Sequence, residues 1–299
     1  MKNCYGSMAV LVALGFYTVA ADAVEQYQTE MSIRSNRTDF GQDSKSITDN
    51  VSAEVFFAPV ITNGHPYAEA AFLERVGSVN FAVTNGNVKS GTSEGSGPTY
   101  SVDFNYTTPD SPIAVQAMYK TTKFETTEFN YVIPGNITAK TNTYGLNIGN
   151  YFMPVLLVGI GYTNSKAEII FPSPFPMMAL KQTSYCLCVK YINVLENGTA
   201  LSLVGNLSSS AYDDGALSLK NTNEYFSVEY FYSRRVSTVI GIGNSSGENL
   251  ASEGQAYLVG VRYFASPRFS VSARYDRFIK SNAGYMNDMS ISVAMALRF

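Results

Sequence analysis

An all-β fold, a transmembrane antiparallel up-and-down β-barrel of about 14 strands, is what three features of the sequence predict. First, the chain of 299 residues is 45% apolar and 13% aromatic but only 15% charged, well below the quarter or so usual for a soluble domain. Second, beyond the N-terminus no apolar run approaches the roughly 18–20 residues that a spanning helix needs. Third, the rest of the chain repeats segments with apolar residues at every second position, separated by turn residues. That alternation suits strands with hydrocarbon on one side and water on the other. A balance of 21 Lys and Arg against 24 Asp and Glu leaves no basic face for nucleic acid. The supply of 21 Tyr and 18 Phe argues against disorder.

The first element is a leader. Lys2 precedes an apolar stretch over 8–21, and the small residues Ala21 and Ala23 flank Asp22 in an A-x-A pattern. Residues 1–23 are expected to be a secretory signal peptide, carrying Cys4 away with them, and residues 24–299 the barrel.

Fourteen strand candidates follow. Tyr27, Thr29, Met31 and Ile33 share one face of 27–36, and Val51, Ala53, Val55 and Phe57 one face of 49–58. Candidates three to five are 77–85 (Val79, Phe81, Val83), 99–107 (Tyr100, Val102, Phe104, Tyr106) and 112–120 (Ile113, Val115, Ala117, Tyr119). Next come 141–152 (Tyr144, Leu146, Ile148, Phe152), 154–163 (Leu156, Val158, Ile160, Tyr162) and 181–192 (Tyr185, Leu187, Val189, Tyr191). Leu201, Leu203 and Leu207 mark 199–208, and Phe226, Val228, Tyr230 and Tyr232 mark 223–232. The last four are 235–243, 254–264, 268–277 and 289–299.

The opposite faces are polar. A Lys or Arg on the lipid side costs about 2–4 kcal/mol at the membrane midplane, so these faces are expected to line the interior. The charged lining candidates are Glu30, Arg34, Glu54, Asp103, Lys120, Lys190, Glu229, Arg262, Arg274 and Asp276. Their near balance predicts weak ion selectivity, and segregation of the two signs to opposite walls would create a transverse field. With no Trp in the chain, Tyr and Phe must form the interfacial girdles.

The connections are expected to alternate. Tight ones fall near 109–112, 152–154, 233–234 and 265–268, and long ones at 37–48, 86–98, 121–140, 164–180, 209–222, 244–253 and 278–288. Membrane barrels have short periplasmic turns and longer external loops, so the long set is expected outside, with both termini periplasmic. The constriction candidates are then 121–140 and 164–180. Two inner connections are exceptions: the one around 195–198 is of middling length, and 59–76 is long.

Two resemblances add to this reading. The final strand, with Met289, Ile291, Val293, Met295 and Leu297 on one face and Phe299 at its end, resembles the terminal strand of bacterial outer-membrane barrels. That likeness implies that Phe299 is an assembly signal for the barrel-assembly machinery. The segment from Pro59 through His65 and Pro66 to Arg75 is similar to one in a family of general bacterial porins, where a second strand ends near a proline and an apolar stretch of small residues leads into the third. The family implies a diffusion channel with no catalytic residues and no cofactor.

The expected function is therefore passive diffusion of small hydrophilic solutes through a narrow, mixed-charge lumen in the outer membrane of a Gram-negative bacterium. Fourteen strands lie between the filled eight-stranded barrel and the open 16–18-stranded one. The expected surroundings are outer-membrane lipid and lipopolysaccharide, with a homo-oligomer left open. The alternative is a non-channel barrel, an adhesin or structural surface protein with a blocked lumen. A fatty-acid type transporter would carry a plug domain before strand one, which starts too close to the expected cleavage point. No enzyme is expected: His65, the only histidine, sits between Gly64 and Pro66 in a turn context. Cys186 and Cys188 share one face, by parity the inner one. Free thiols in a polar wall are the first reading, a strained or mixed disulfide the second and a metal site the last, since no further Cys or His is at hand. The glycines at Gly241, Gly243 and Gly247 leave a strand without a following Lys, so they make no phosphate loop.

Overall fold

The computed structural model describes residues 26–299 apart from 42–43, 92, 128–135, 173–176, 196–198, 214–217, 249–252 and 282–286. The expected signal peptide lies outside the described residues. Fourteen antiparallel strands close into one barrel, each paired with its sequence neighbours and the first with the last. They are β1 (Gln26–Gly41), β2 (Ser44–Ile61), β3 (Ser78–Ser90), β4 (Ser93–Tyr106), β5 (Ile113–Thr127), β6 (Ile137–Met153) and β7 (Leu156–Ile170). The second half is β8 (Met178–Val194), β9 (Ala200–Asp213), β10 (Ser218–Phe231), β11 (Val236–Gly247), β12 (Gly254–Ser266), β13 (Phe269–Lys280) and β14 (Asp288–Arg298). A short helix, α1 (Ala70–Leu73), lies between β2 and β3.

The alternation explains the closure. Odd-numbered apolar residues of β1, β2 and β3, such as Met31, Val51, Val55, Phe81 and Val83, stand exposed on the outside. So do Tyr100, Val102 and Phe104 of β4 and Ile291 of β14. On the inner register, hydroxyl and amide side chains pair across strands: Ser32 with Ser52 at 2.7 Å, Asn50 with Thr84 at 2.7 Å, Thr99 with Thr122 at 2.9 Å and Thr143 with Ser165 at 2.8 Å. An open sheet would leave a row of unpaired backbone groups in hydrocarbon, so only a closed cylinder satisfies the ladder there.

Each expected strand is found, but most are longer than expected, running from 11 to 18 residues. A span needs about 9–11 residues, so the added length lies beyond the membrane core. It accumulates at one end. The stretches 37–48, 86–98 and 209–222, expected as long loops, are mostly strand, and only residues 42–43 separate β1 from β2. The constriction candidates 121–140 and 164–180 are also mostly continuations of β5–β6 and β7–β8, and their tips lie outside the described residues. The physical reason is that the apolar alternation stops where hydrocarbon stops, whereas backbone hydrogen bonding continues through the Ser, Thr and Asn residues above it.

Tyr27 also departs from expectation. A register shift between Tyr27 and Thr29 against β2 turns it inward, where it is 5% exposed and meets Phe56 edge-on, ring centroids 5.4 Å apart. The irregularity falls beside Pro59, which has no N–H to give to the ladder and is tolerated in strands chiefly at bulges and edges. Tyr27, Phe56, Val60 and Ala70 form the core cluster, and it sits at the end of the barrel where both chain ends meet.

Candidate functional site: a barrel interior closed at one end

Residues 62–77, between β2 and β3, do not pass outside the barrel as a simple turn. Local chemistry bends them back. The amide of His65 bonds the carbonyl of Thr62 at 3.2 Å, and Gly64 takes a left-handed φ of 77° that suits glycine. Pro66 then leads into α1, with the Glu69 amide on the Pro66 carbonyl. The helix stops after one turn. Arg75 adopts φ of 51°, and the amides of Arg75 and Val76 bond back to the carbonyls of Phe72 and Ala71.

This segment is then tied to the wall around much of the circumference. Glu69 accepts from Lys190 of β8 at 2.6 Å and from Ser202 of β9 at 3.4 Å. The Lys190 ammonium also lies 4.5 Å from the Phe72 ring centre, and Phe72 packs against Tyr151 of β6. Arg75 stacks over Tyr151 at 4.3 Å and bonds the Pro109 carbonyl in the β4–β5 turn. On the far side, the Tyr67 amide donates to the Arg234 carbonyl in the β10–β11 turn. The Arg234 guanidinium donates to the carbonyls of His65 and Thr62. Tyr67 meets Phe264 of β12, and its carbonyl accepts from Arg298 of β14 at 2.8 Å. Thr62 and Ala70 are 1% and 0% exposed. The connection is thus a plug, bound to opposite walls by charge-assisted hydrogen bonds and aromatic contacts.

The charged lining candidates mostly occur in neutralised pairs. Glu30 accepts from Arg298 at 2.5 Å, with the guanidinium also over Tyr27 and Phe264. Lys190 is engaged by Glu69, Glu229 lies 3.7 Å from Arg262 and accepts from Ser237, and Arg274 chelates Asp276. Glu54 accepts from Ser78 at 2.6 Å, and Asp103 from Asn80 at 3.5 Å. Arg34 pairs in register with Asn50 and Ala294, and Lys120 with Ser101 and Thr143; both side chains are exposed. In the ion pairs acid and base stand side by side. Phe299 continues the ladder: its carbonyl accepts from Gln28 and Thr29, and its amide donates to Thr29. His65 Nε2 lies 2.6 Å from the Glu74 carboxylate, within the plug.

Sequence reasoning missed Glu69, Tyr67, Arg75, Arg234 and Arg298 as a set. One signal was present: an inner connection longer than a hairpin needs, carrying both apolar and charged residues. Arg298 also stands on the polar face of β14, where only a buried partner suits a charge.

A closed antiparallel cylinder of fourteen strands, apolar outside and polar within, is a β-barrel of the outer-membrane class. No family model matches the chain, and no curated protein matches it in sequence. In fold it is similar to the outer membrane protein Omp33 of Acinetobacter baumannii, with a TM-score of 0.57 and 18% identity over 92% of this chain and 99% of that one. It is similar also to the monoaromatic hydrocarbon channel CymD, with a TM-score of 0.55 and 10% identity over 92% of this chain and 89% of that one. The β domain of the Bordetella autotransporter BrkA matches at a TM-score of 0.50 and 7% identity, covering 92% of this chain and 100% of that one. These likenesses concern the fold alone, and the last two show that it serves unlike tasks.

Proposed function

We propose that the chain is an outer-membrane porin whose lumen admits small hydrophilic solutes and whose inner end is held shut by the β2–β3 plug. In this reading the end bearing both termini faces the periplasm, and Phe299 serves barrel assembly. Lipid and lipopolysaccharide surround the apolar band. The paired charges, with the freer Arg34 and Lys120, then line a route of weak ion preference, and the chain performs no catalysis. The observation that carries the reading is the interior surface itself: a wall of cross-strand Ser, Thr and Asn pairs is hydrated more readily than it is packed, so it suits a water-filled route. The plug is held to that wall without a covalent link, by Glu69–Lys190, Arg234 and Arg298, which a small displacement would break.

The burial of Thr62 and Ala70 favours a second reading, a non-channel barrel with a blocked lumen. Planar-bilayer recording separates the two. The porin reading expects small or brief conductance steps from the unmodified protein, and larger, longer ones when residues 63–76 are replaced by a short Gly-Ser link. Silence from both, with folding verified by slower migration of unheated protein on gels, would establish the blocked barrel instead.

A further inference from the structure

Cys186 and Cys188 stand next to each other on the inner register of β8, flanked by Gly161 and Gly159 on β7 and by Ser208 and Asn206 on β9. Their sulfur atoms are 3.5 Å apart, and both residues are partly buried free thiols. The Asn206 amide donates to the Cys188 sulfur at 3.1 Å, and the Cys186 sulfur lies 3.9 Å from Asn147 Oδ1. Gly161 makes the space. A Cβ there would stand 2.6 Å from the Cys186 sulfur and closer still to Asn147 Oδ1, so only glycine allows both groups to lie over that strand.

We propose that this thiol pair is a chelating site for one soft, thiophilic ion of the Cu(I) class. With metal–sulfur bonds of about 2.3 Å, a trigonal or tetrahedral centre sets two sulfurs about 3.8–4.0 Å apart, whereas a linear centre needs about 4.6 Å. The observed separation reaches the bent geometries by a small side-chain rotation and falls well short of the linear one. A bent centre leaves a position for a third donor. Asn206 supplies it by turning its amide so that oxygen, not nitrogen, faces the sulfurs. The donor set also chooses the ion. No group of three or more His, Cys, Asp and Glu residues gathers at metal distance among the described residues, so ions that require four protein ligands or hard oxygens are poorly served. Soft monovalent ions bind well through thiolates alone. Binding releases one proton from each thiol to water and forms two metal–sulfur bonds, with no change of oxidation state. The two cysteines, two residues apart in an extended strand, point the same way, a poor geometry for closing a disulfide without backbone movement. The site stands on wall geometry and is independent of whether the barrel conducts.

The test uses the folded full chain in detergent micelles under a non-thiol reductant, with Cu(I) titrated against a chromophoric Cu(I) chelator. One Cu(I) per chain is expected, with Cys186→Ser and Cys188→Ser each weakening it on the order of a hundredfold, because each leaves a single thiolate. Equal affinity in either single variant, or no transfer from the chelator to the unmodified protein, overturns the proposal. The unmodified chain gives a second readout. Cu(I) is expected to protect both cysteines together from alkylation; protection of only one, or a closed disulfide in protein isolated without reductant, also overturns it.

Discussion

The two ends of the barrel finish the same alternating strands in opposite ways. At the end holding both termini, the strands stop early and one connection turns back inside. There Phe231, Phe264, Tyr151, Ile192, Val60 and Ala70 are all buried, and charges are buried with partners. At the other end the strands run on into water, and the Lys89–Glu94 pair there leaves each side chain 63% exposed, against 8% for Glu69 in its pair with Lys190. The difference teaches where stability and function are concentrated. Solvent screens an exposed pair until it contributes little, while a buried acid that loses its base is left uncompensated.

The sharpest way to break this comparison is at Glu69. Glu69→Ala leaves Lys190 without its anion, and equilibrium unfolding in lipid vesicles is expected to show a loss of about 3 kcal/mol or more. Replacing both members of the pair, Glu69→Met with Lys190→Met, is expected to restore much of that loss, since apolar residues of similar volume often substitute well for a buried pair. Next is Tyr67→Ala, which removes the ring between Phe264 and Arg234. A loss of about 3 kcal/mol is expected in the same assay, with faster proteolysis within 62–77. Ala70→Leu comes third. It overfills a site with no free surface and is expected to cost about 1–3 kcal/mol. The smallest effect belongs to the open end: Lys89→Ala is expected to leave the unfolding midpoint unchanged within error, at low salt and at high. A clear loss there would erase the contrast between the ends.

Much of the barrel wall was legible because membrane strands carry their own code. Residues such as Val51, Phe81 and Ile291 alternate with polar neighbours, and a slip of one residue would put charge into lipid. The inner side of Glu30, Glu54 and Arg262 followed from the same parity. Legibility failed where the code has no force. Beyond the hydrocarbon, polar residues on both faces read equally well as loop or strand, so the tall hairpins read as loops. Parity also failed at Tyr27, because the irregularity beside Pro59 shifts the count without leaving a periodic trace. The plug was the largest omission. Its order comes from residues far apart in the chain, such as Glu69 with Lys190 and Tyr67 with Arg298, and no local pattern announces such a meeting. The Cys186–Cys188 pair falls between these cases: alternation places both thiols on one side, but the folded wall sets their spacing.

The seam between the first and last strands has a consequence for how the molecule comes together. Arg298, at the tip of the final strand, grips Glu30 on the opening strand and Tyr67 within the inward-folded segment. Those grips depend on the ends of the polypeptide having met. Zipping the cylinder therefore adds the last grip on its stopper, joining those from Lys190 and Arg234 that stand apart from the seam.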